Sequence, residues 1–579
     1  MSGAARAALV ATAVLLQAGL SIHAMRGNSA TFDEGAHLPA GYTHLVLGDH
    51  RLNPEQPPLV KLLAAAPLVP LAPELRTDDP AWGSSRQWEF GRRFLYRWND
   101  ADRLLFLGRL PVVALASCLV IAVFLAAERR FGTKAALAAA FLAALSPDVL
   151  AHGSLVTTDL AFALFFFLAV LAAERLLERA TPARVVAAGL ATGAAFATKF
   201  SAPILFGVFA VLGVRASFAR PAGGAAADGR TLRARASLVL ASLAAVFTLA
   251  LAVVWAGYGF RAGLSPDPAV RAELREPLLG AQDGVLRSLV AWSGRARVVP
   301  EDYARGLLFV TEHSAARPSF LLGERRDGGF PHYFAVTFLL KTPIPLLALA
   351  AVALARVRRL ARGDAWLLWL PIAVYAAATA TRGLQIGHRH LLPVYPFLFL
   401  AAGEAAAALF AWRAPLGAWL AGALGLWYAG GTLIQHPHHL AYFNELAGGP
   451  SNGWRLLVDS NLDWGQDLKR LGEWTRANGV GKLKLSYFGS ADPGYYGIDS
   501  EALPGYTSPH AARITREIRP GDTVAVSATN LQGVYLDAED RPLMARLRAL
   551  RPVARIGYSI FVYRPDFSWP PPPAAPRAP

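Results

Sequence analysis

The sequence predicts an all-α polytopic membrane bundle followed by a small α+β domain. Three observations predict it. Apolar runs of membrane-spanning length recur from the N-terminus to about residue 434. The short loops between them are rich in arginine, the pattern of cytoplasmic loops. Beyond residue 434 the spanning runs stop and short alternating segments take over. With 54% hydrophobic and 17% charged residues, the chain of 579 residues is too apolar for a soluble protein of that length. Its mean hydropathy is +0.33.

The net charge of +16 raises the question of nucleic acid. Many of the arginines sit in short loops between apolar runs, which the positive-inside rule explains, so no nucleic-acid partner is expected. The single cysteine, Cys118, lies in an apolar run and excludes an intrachain disulfide and a cysteine metal site.

The elements follow in order. A first span covers about 7–25 and is read as retained, since no A-x-A-like cleavage site follows it. Residues 26–102 form a long external loop that holds Asp33-Glu34 and, later, Glu55-Gln56-Pro57-Pro58. Within it, 59–71 is apolar but short and bounded by proline, which suits an interfacial helix. Spans at about 103–127, 135–150 and 159–178 follow, separated by the basic turn 128–134 and the polar turn 151–158. Residues 185–216 are one long span or two short ones. Two spans put the arginine-rich loop 215–235 on the side of the other basic loops and leave Lys199 at an outer turn. Further spans are expected at 237–259, 333–355, 365–381, 391–411 and 415–434, with an external loop at 260–332 and a polar turn at 382–390.

The total is about eleven transmembrane helices, N-terminus in the cytoplasm and C-terminus outside. The transmembrane domain is 1–434. An extracytoplasmic α+β domain is expected at 435–568, with strands near 483–488 and 523–527. A Pro-rich tail, 569–579, is expected to be disordered.

This topology gathers the candidate chemistry on one face. Asp33, Glu34, Glu55 and Asp159 are external carboxylates, each of which alone reads as a helix cap or a loop charge. Together they read as a site. Lys199, Lys341, His388, Arg389 and His390 lie on or near the same face, where a phosphate head group would need them. Lys341 is placed inside a span, where an ionisable group is costly and usually functional. Glu404 is mid-span and pairs with a neighbouring base or faces the bundle interior. His388 and His390, like His436, His438 and His439, invite a metal reading but lack a matching third ligand, so no metal and no cofactor is expected. The sequence has neither a Gly-x4-Gly-Lys-Ser/Thr loop nor a Gly-x-Gly-x-x-Gly after a strand, which leaves a nucleotide-driven pump unsupported.

The acidic pair in the first external loop, the acid-x-Pro-Pro segment at Glu55, and Asp159 at the start of a later span resemble the GT-C class of integral-membrane glycosyltransferases. Similar to bacterial members are also the stretches from His152 to Asp159, Thr198 to Ser201, Lys341 to Pro343, Gly387 to Pro396, and Asn444 to Asp467. Within that class the chain resembles the protein O-mannosyltransferases and the bacterial lipid A aminoarabinose transferases. The resemblance implies a polyprenyl-phosphate sugar donor, an acceptor hydroxyl on a glycan, lipid or protein, surrounding membrane lipids as partners, and a bacterial inner-membrane location. It implies Asp33 as general base with Glu34 beside it, and Asp159 as a second acid of the class. The chain departs from the aminoarabinose transferases at Gln56, where those carry a basic residue, and its C-terminal domain is unlike the repeat insertion of eukaryotic mannosyltransferases. Two rival classes are a transporter or lipid flippase, which would need an internal repeat and mid-membrane ion pairs, and a non-catalytic polyprenyl-lipid-binding envelope subunit.

Overall fold

The computed structural model describes residues 1–218, 231–263, 265–279, 283–313, 317–360, 362–380, 384–413, 415–506 and 514–571. Most of the arginine-rich loop, residues 382–383 of the polar turn and the tail from 572 lie outside the described residues.

Helix α1 (Gly3–Arg26) opens the bundle. The long first loop is largely helical: α2 (Glu34–Leu47), α3 (Leu59–Ala65), α4 (Pro80–Gly83) and α5 (Gln87–Arg93). The apolar stretch 59–71 is α3 continued by a 3-10 turn at Ala66–Leu71, short as expected. Helix α6 (Ala101–Ala144) joins two predicted spans and bends at Gly132, whose φ of 79° only glycine adopts readily. The predicted span 135–150 ends early, because Ser146 starts a new helix, α7 (Pro147–His152). Helix α8 (Thr158–Glu178) follows. Residues 185–216 are two helices, α9 (Pro182–Phe196) and α10 (Ile204–Phe218), with Lys199 in the turn between them. Helix α11 (Leu232–Gly257) completes this half.

The 260–332 segment is more ordered than its polar composition predicts. It forms α12 (Pro268–Leu279), α13 (Val285–Arg295) and α14 (Glu301–His313), then a hairpin of β1 (Ser319–Leu321) and β2 (Glu324–Arg326). Leu322 and Gly323 both have positive φ, as a tight two-residue hairpin turn requires. The predicted span 333–355 is a bent pair, α15 (Tyr333–Lys341) and α16 (Ile344–Ala355), at 114°. Thr342, ahead of Pro343, is extended, which breaks the helix there. Helices α17 (Arg362–Ala380), α18 (Tyr395–Ala411) and α19 (Leu416–Ile434) end the bundle.

Each predicted run thus has a helix. Among the described residues five are long and apolar enough to cross a membrane, six if the bent pair counts as one span; Pro182–Phe196, Ile204–Phe218 and Asp364–Ala380 are shorter apolar helices. Helix α6 packs against α1 and α18, and α9 against α8 and α11. Phe162, Phe166, Phe167 and Phe397 fill the centre, with Phe167 and Phe397 edge to face at 5.1 Å.

The C-terminal domain comprises α20 (Pro450–Gly453), α21 (Leu468–Ala477), β3 (Leu483–Ser486), β4 (Ser500–Ala502), β5 (Thr523–Ser527), α22 (Ala528–Leu531), α23 (Arg541–Arg548), β6 (Ala554–Ile556) and β7 (Ile560–Tyr563). The sheet order is β4-β3-β5-β7-β6, with β4, β3 and β5 parallel and β7 antiparallel to both β5 and β6. Its Leu468, Leu471, Leu483 and Leu485 share one apolar core with Leu38, Tyr42 and Phe90 of the first loop. The first loop and the C-terminal domain are therefore one packed layer over the bundle. Trp569, expected at the start of a disordered tail, instead exchanges backbone hydrogen bonds with Ile518.

Candidate active site

The site is built where α2, α8, the α9–α10 turn and the segment before α18 converge. Asp33 occupies the N-cap position of α2, but its side chain makes no capping bond. Its Oδ2 instead accepts from Arg389 Nη1 at 2.9 Å. The same nitrogen reaches Oδ2 of Asp159 at 3.3 Å. Asp159 sits in the first turn of α8, after the Thr157 cap position, and is paired with Lys199. Neither acid serves as a cap. Arg389 also lies over the Trp464 ring, 4.2 Å from its centroid. Asp159 is buried, whereas the Asp33 side chain keeps 23% exposure. Of the linked acids, Asp33 is the one open to an incoming molecule.

Glu34 points elsewhere. Arg109 grips it bidentately, Nε to Oε1 at 2.8 Å and Nη2 to Oε2 at 2.7 Å. The backbone N–H groups of Thr31 and Val156 each donate to it at 2.8 Å. Arg109 spends its remaining donors on the carbonyls of Met25, Asn28 and Ser29. Burial alone would push the Glu34 carboxyl up, but Arg109 and the two backbone donors outweigh it and hold the group below the usual carboxylate range. Glu34, expected beside the base, has both oxygens occupied and is fully buried, contacts that fix the start of α2.

Glu55 accepts from Gln87 at 2.8 Å. Burial pushes its carboxyl up and the nearby Asp33 charge adds to that, so the two acids feel each other. The loop between Asn53 and Gln56 is pinned by buried Lys61, which donates to the carbonyls of both residues at 2.8 Å.

The other predicted bases divide. His390 is close enough to Asp159 to act on it electrostatically and stands edge-on to Phe334 at 6.3 Å. Lys341 and His388 belong to an adjoining polar group. Lys341 donates to the carbonyls of Leu440 and Asn461 at 2.9 and 2.6 Å. His388 bonds to the Tyr395 hydroxyl at 2.6 Å and its backbone N–H donates to Asn461 Oδ1. Both were expected to bind substrate; Lys341 Nζ is bonded to two carbonyls, whereas His388 Nδ1 has no hydrogen-bond partner among the described residues. Lys341 Nζ and the His388 backbone N–H both contact Asn461 of the 459–461 turn.

Three participants were not singled out as site residues in the sequence, although Asp459 and Trp464 fall in the stretch from Asn444 to Asp467. Arg109 interrupts an apolar run, and an arginine in a span is itself a signal. Trp464 carries no periodic signal. Asp459 adopts a left-handed φ of 58°, unusual for a non-glycine residue. Its N–H donates to Thr529 Oγ1 at 3.0 Å, and its carboxylate accepts from Ser460 N–H at 2.6 Å and from the Tyr535 hydroxyl. Glu404 pairs with Arg356 at 2.8 Å, away from the site. His23, His436 and His439 form a single file of ring nitrogens at 2.6 and 2.9 Å. Among the described residues no group of three or more side chains is placed to hold a metal ion. A wide cleft along the β4 edge, bordered by Lys482, Lys484 and Arg516, contains none of these residues.

Residues 103–255, which carry Arg109, Asp159 and Lys199, match the family model described as dolichyl-phosphate-mannose-protein mannosyltransferase. No curated protein matches the chain. Among solved structures the chain is similar to ArnT from Cupriavidus metallidurans. The apo form aligns at 13% identity and a TM-score of 0.47, over 96% of this chain and 98% of that one. The form bound to undecaprenyl phosphate aligns at 14% identity and 0.47, over 97% and 98%. It is also similar to the oligosaccharyltransferase AglB from Archaeoglobus fulgidus, in complex with an inhibitory peptide and a dolichol-phosphate. That match has 14% identity and a TM-score of 0.45, over 93% of this chain and 72% of that one.

Proposed function

We propose that the protein is an integral-membrane glycosyltransferase that moves a sugar from a polyprenyl-phosphate-linked donor to an acceptor hydroxyl at the outer face of the bacterial inner membrane. The observation that carries this reading is the half-open Asp33 carboxylate, linked through Arg389 to the buried Asp159–Lys199 pair. The family match over 103–255 supports the class of donor.

Asp33 accepts the proton of the acceptor hydroxyl as that oxygen attacks the anomeric carbon. The bond from that carbon to the phosphate oxygen breaks, and polyprenyl phosphate leaves with the electron pair. Attack opposite the leaving group inverts the anomeric configuration. Arg389 and Lys199 supply positive charge beside the developing phosphate dianion. Asp159, fixed between them, keeps both cations in place. The lipid chain lies between bundle helices. The donor already carries its leaving group, so no nucleotide hydrolysis is needed.

Sidedness is supported by charge. Glu174 lies near the far end of α8 from Asp159, about 22 Å along the axis at 1.5 Å per residue. It pairs there with Arg130, which also holds Asp364. These arginine-rich ends belong to the cytoplasmic side by the positive-inside rule, which puts Asp33 outside. Incubating the purified protein with a labelled panel of polyprenyl-phosphate sugars tests the reading: an enzyme releases polyprenyl phosphate, and a transporter or a lipid-binding subunit does not.

A further inference from the structure

The polar link at Asp33 has an aromatic wall beside it that the chemistry above does not use. Phe32, next to Asp33 in the chain, lies 4.6 Å from Trp88, 5.7 Å from Phe488 and 5.8 Å from Tyr506, centroid to centroid. Tyr506 stands 4.8 Å from Tyr535, and Phe488 stacks on Tyr535 at 5.9 Å. Two of these rings come from the first loop and three from the C-terminal domain. Phe32, Phe488 and Tyr535 also pack in one cluster with Trp464, the ring beneath Arg389. The wall is thus continuous with the site.

The rings are held in place. The Phe32 N–H donates to the Trp464 carbonyl at 2.8 Å and the Phe488 N–H to Ser527 Oγ at 3.0 Å. Tyr535 gives its hydroxyl to Asp459, whose left-handed backbone is itself fixed by Thr529. The wall is not sealed: Phe488 is buried, but Phe32, Trp88 and Tyr535 are half-buried and Tyr506 is 38% exposed. Its edge is polar. Arg317 lies within electrostatic reach of Tyr506, Tyr535, Asp459 and Glu55, and makes no ion pair with another described residue. Gln87 donates to Glu55, which lies within that reach of Arg317.

We propose that this wall is the acceptor subsite and that it takes a pyranose ring, so that the acceptor is a carbohydrate or the sugar head of a glycolipid. The proposal rests on Asp33 being the base. A pyranose has apolar C–H faces and a rim of hydroxyls. The wall offers partly exposed aromatic rings with the Gln87 amide, the Glu55 carboxylate and the Arg317 guanidinium nearby. It abuts the exposed acid, so a sugar stacked there would carry its rim hydroxyls toward Asp33.

The test uses the full-length protein in detergent with Asp33→Asn, so that binding is read without turnover. Defined oligosaccharides and Ser/Thr-containing peptides are compared by ligand-observed NMR. At least one oligosaccharide is expected to bind, with about tenfold weaker binding in Tyr506→Ala and Trp88→Ala, and near-normal binding in Tyr506→Phe and Trp88→Phe. Binding of peptides alone, or oligosaccharide binding indifferent to both alanine variants, overturns the proposal. The glycosyltransferase reading fails separately, if Asp33→Asn in the otherwise native chain still releases polyprenyl phosphate.

Discussion

Two adjacent carboxylates, Asp33 and Glu34, do opposite work because a helix turn sends them in different directions. Glu34 is sealed against Arg109, and Asp33 faces the opening. Glu34→Gln should leave a buried, uncompensated arginine and lower stability by about 3–5 kcal/mol, seen as a fall in Tm of the purified protein. The pH dependence has a definite sign. The Glu34 carboxyl is held below its ordinary value in the folded chain. Its contribution is therefore present above the unfolded pKa, roughly 4.3, and is lost as pH falls through the lower folded value. Glu34→Gln should remove that acid-side loss. Sequence alone singled out the pair, with Asp33 as base and Glu34 beside it, but could not name the partner of either. An acid's partner is set by a residue 75 positions away, and no local pattern carries such a distance.

At the scale of elements, the site depends on close backbone crossings. A Cβ on Gly91 of α5 would collide with the carbonyl of Gly35 in α2. Gly91→Ala should push α2 away from α5 and cost about 1–3 kcal/mol, with transfer activity falling along with Tm. In the C-terminal domain, burial pushes the Asp463 carboxyl up to about 8, and the charges of Asp459 and Asp467 add to that. One oxygen accepts from Thr529 N–H at 2.8 Å, and the other has no hydrogen-bond partner among the described residues. A raised carboxyl stabilises the fold fully below its unfolded pKa and loses that contribution as pH rises through about 8. Tm should therefore fall between pH 5 and 8 by an amount that Asp463→Asn abolishes, measured by thermal unfolding across that range. The helices themselves were legible from hydropathy, because a lipid-facing run must be apolar along its length. The kink at Gly132, the break at Thr342 and the helices at 268–313 were not. A bend needs one residue's φ, and polar surface helices carry little periodic signal.

For the whole molecule, the consequential feature is that the C-terminal domain and the first loop share a core. Leu483 and Leu485 of β3 share one apolar cluster with Leu38 and Phe90 as well as with Leu468, Leu471 and Val562 of their own domain, so part of that core is lost without the first loop. Residues 435–568 expressed alone should therefore be insoluble or bind a hydrophobic dye strongly, and size-exclusion chromatography of the fragment would show it. The sequence placed that domain outside the membrane and gave it strands. Its docking was hidden, because a strand face reads as apolar whatever covers it. The same docking brings Trp464, Asp459 and Tyr535 to the carboxylates of the bundle, and so makes one site out of two regions far apart in the chain. The most direct test of that site as a glycosyl-transfer centre is the release of polyprenyl phosphate from a labelled polyprenyl-phosphate sugar by native protein and by Asp33→Asn at equal folded concentration. Release by the native chain, with a loss of about 10²–10⁴-fold in the variant at unchanged Tm, is the predicted result. Equal release by both would contradict the account.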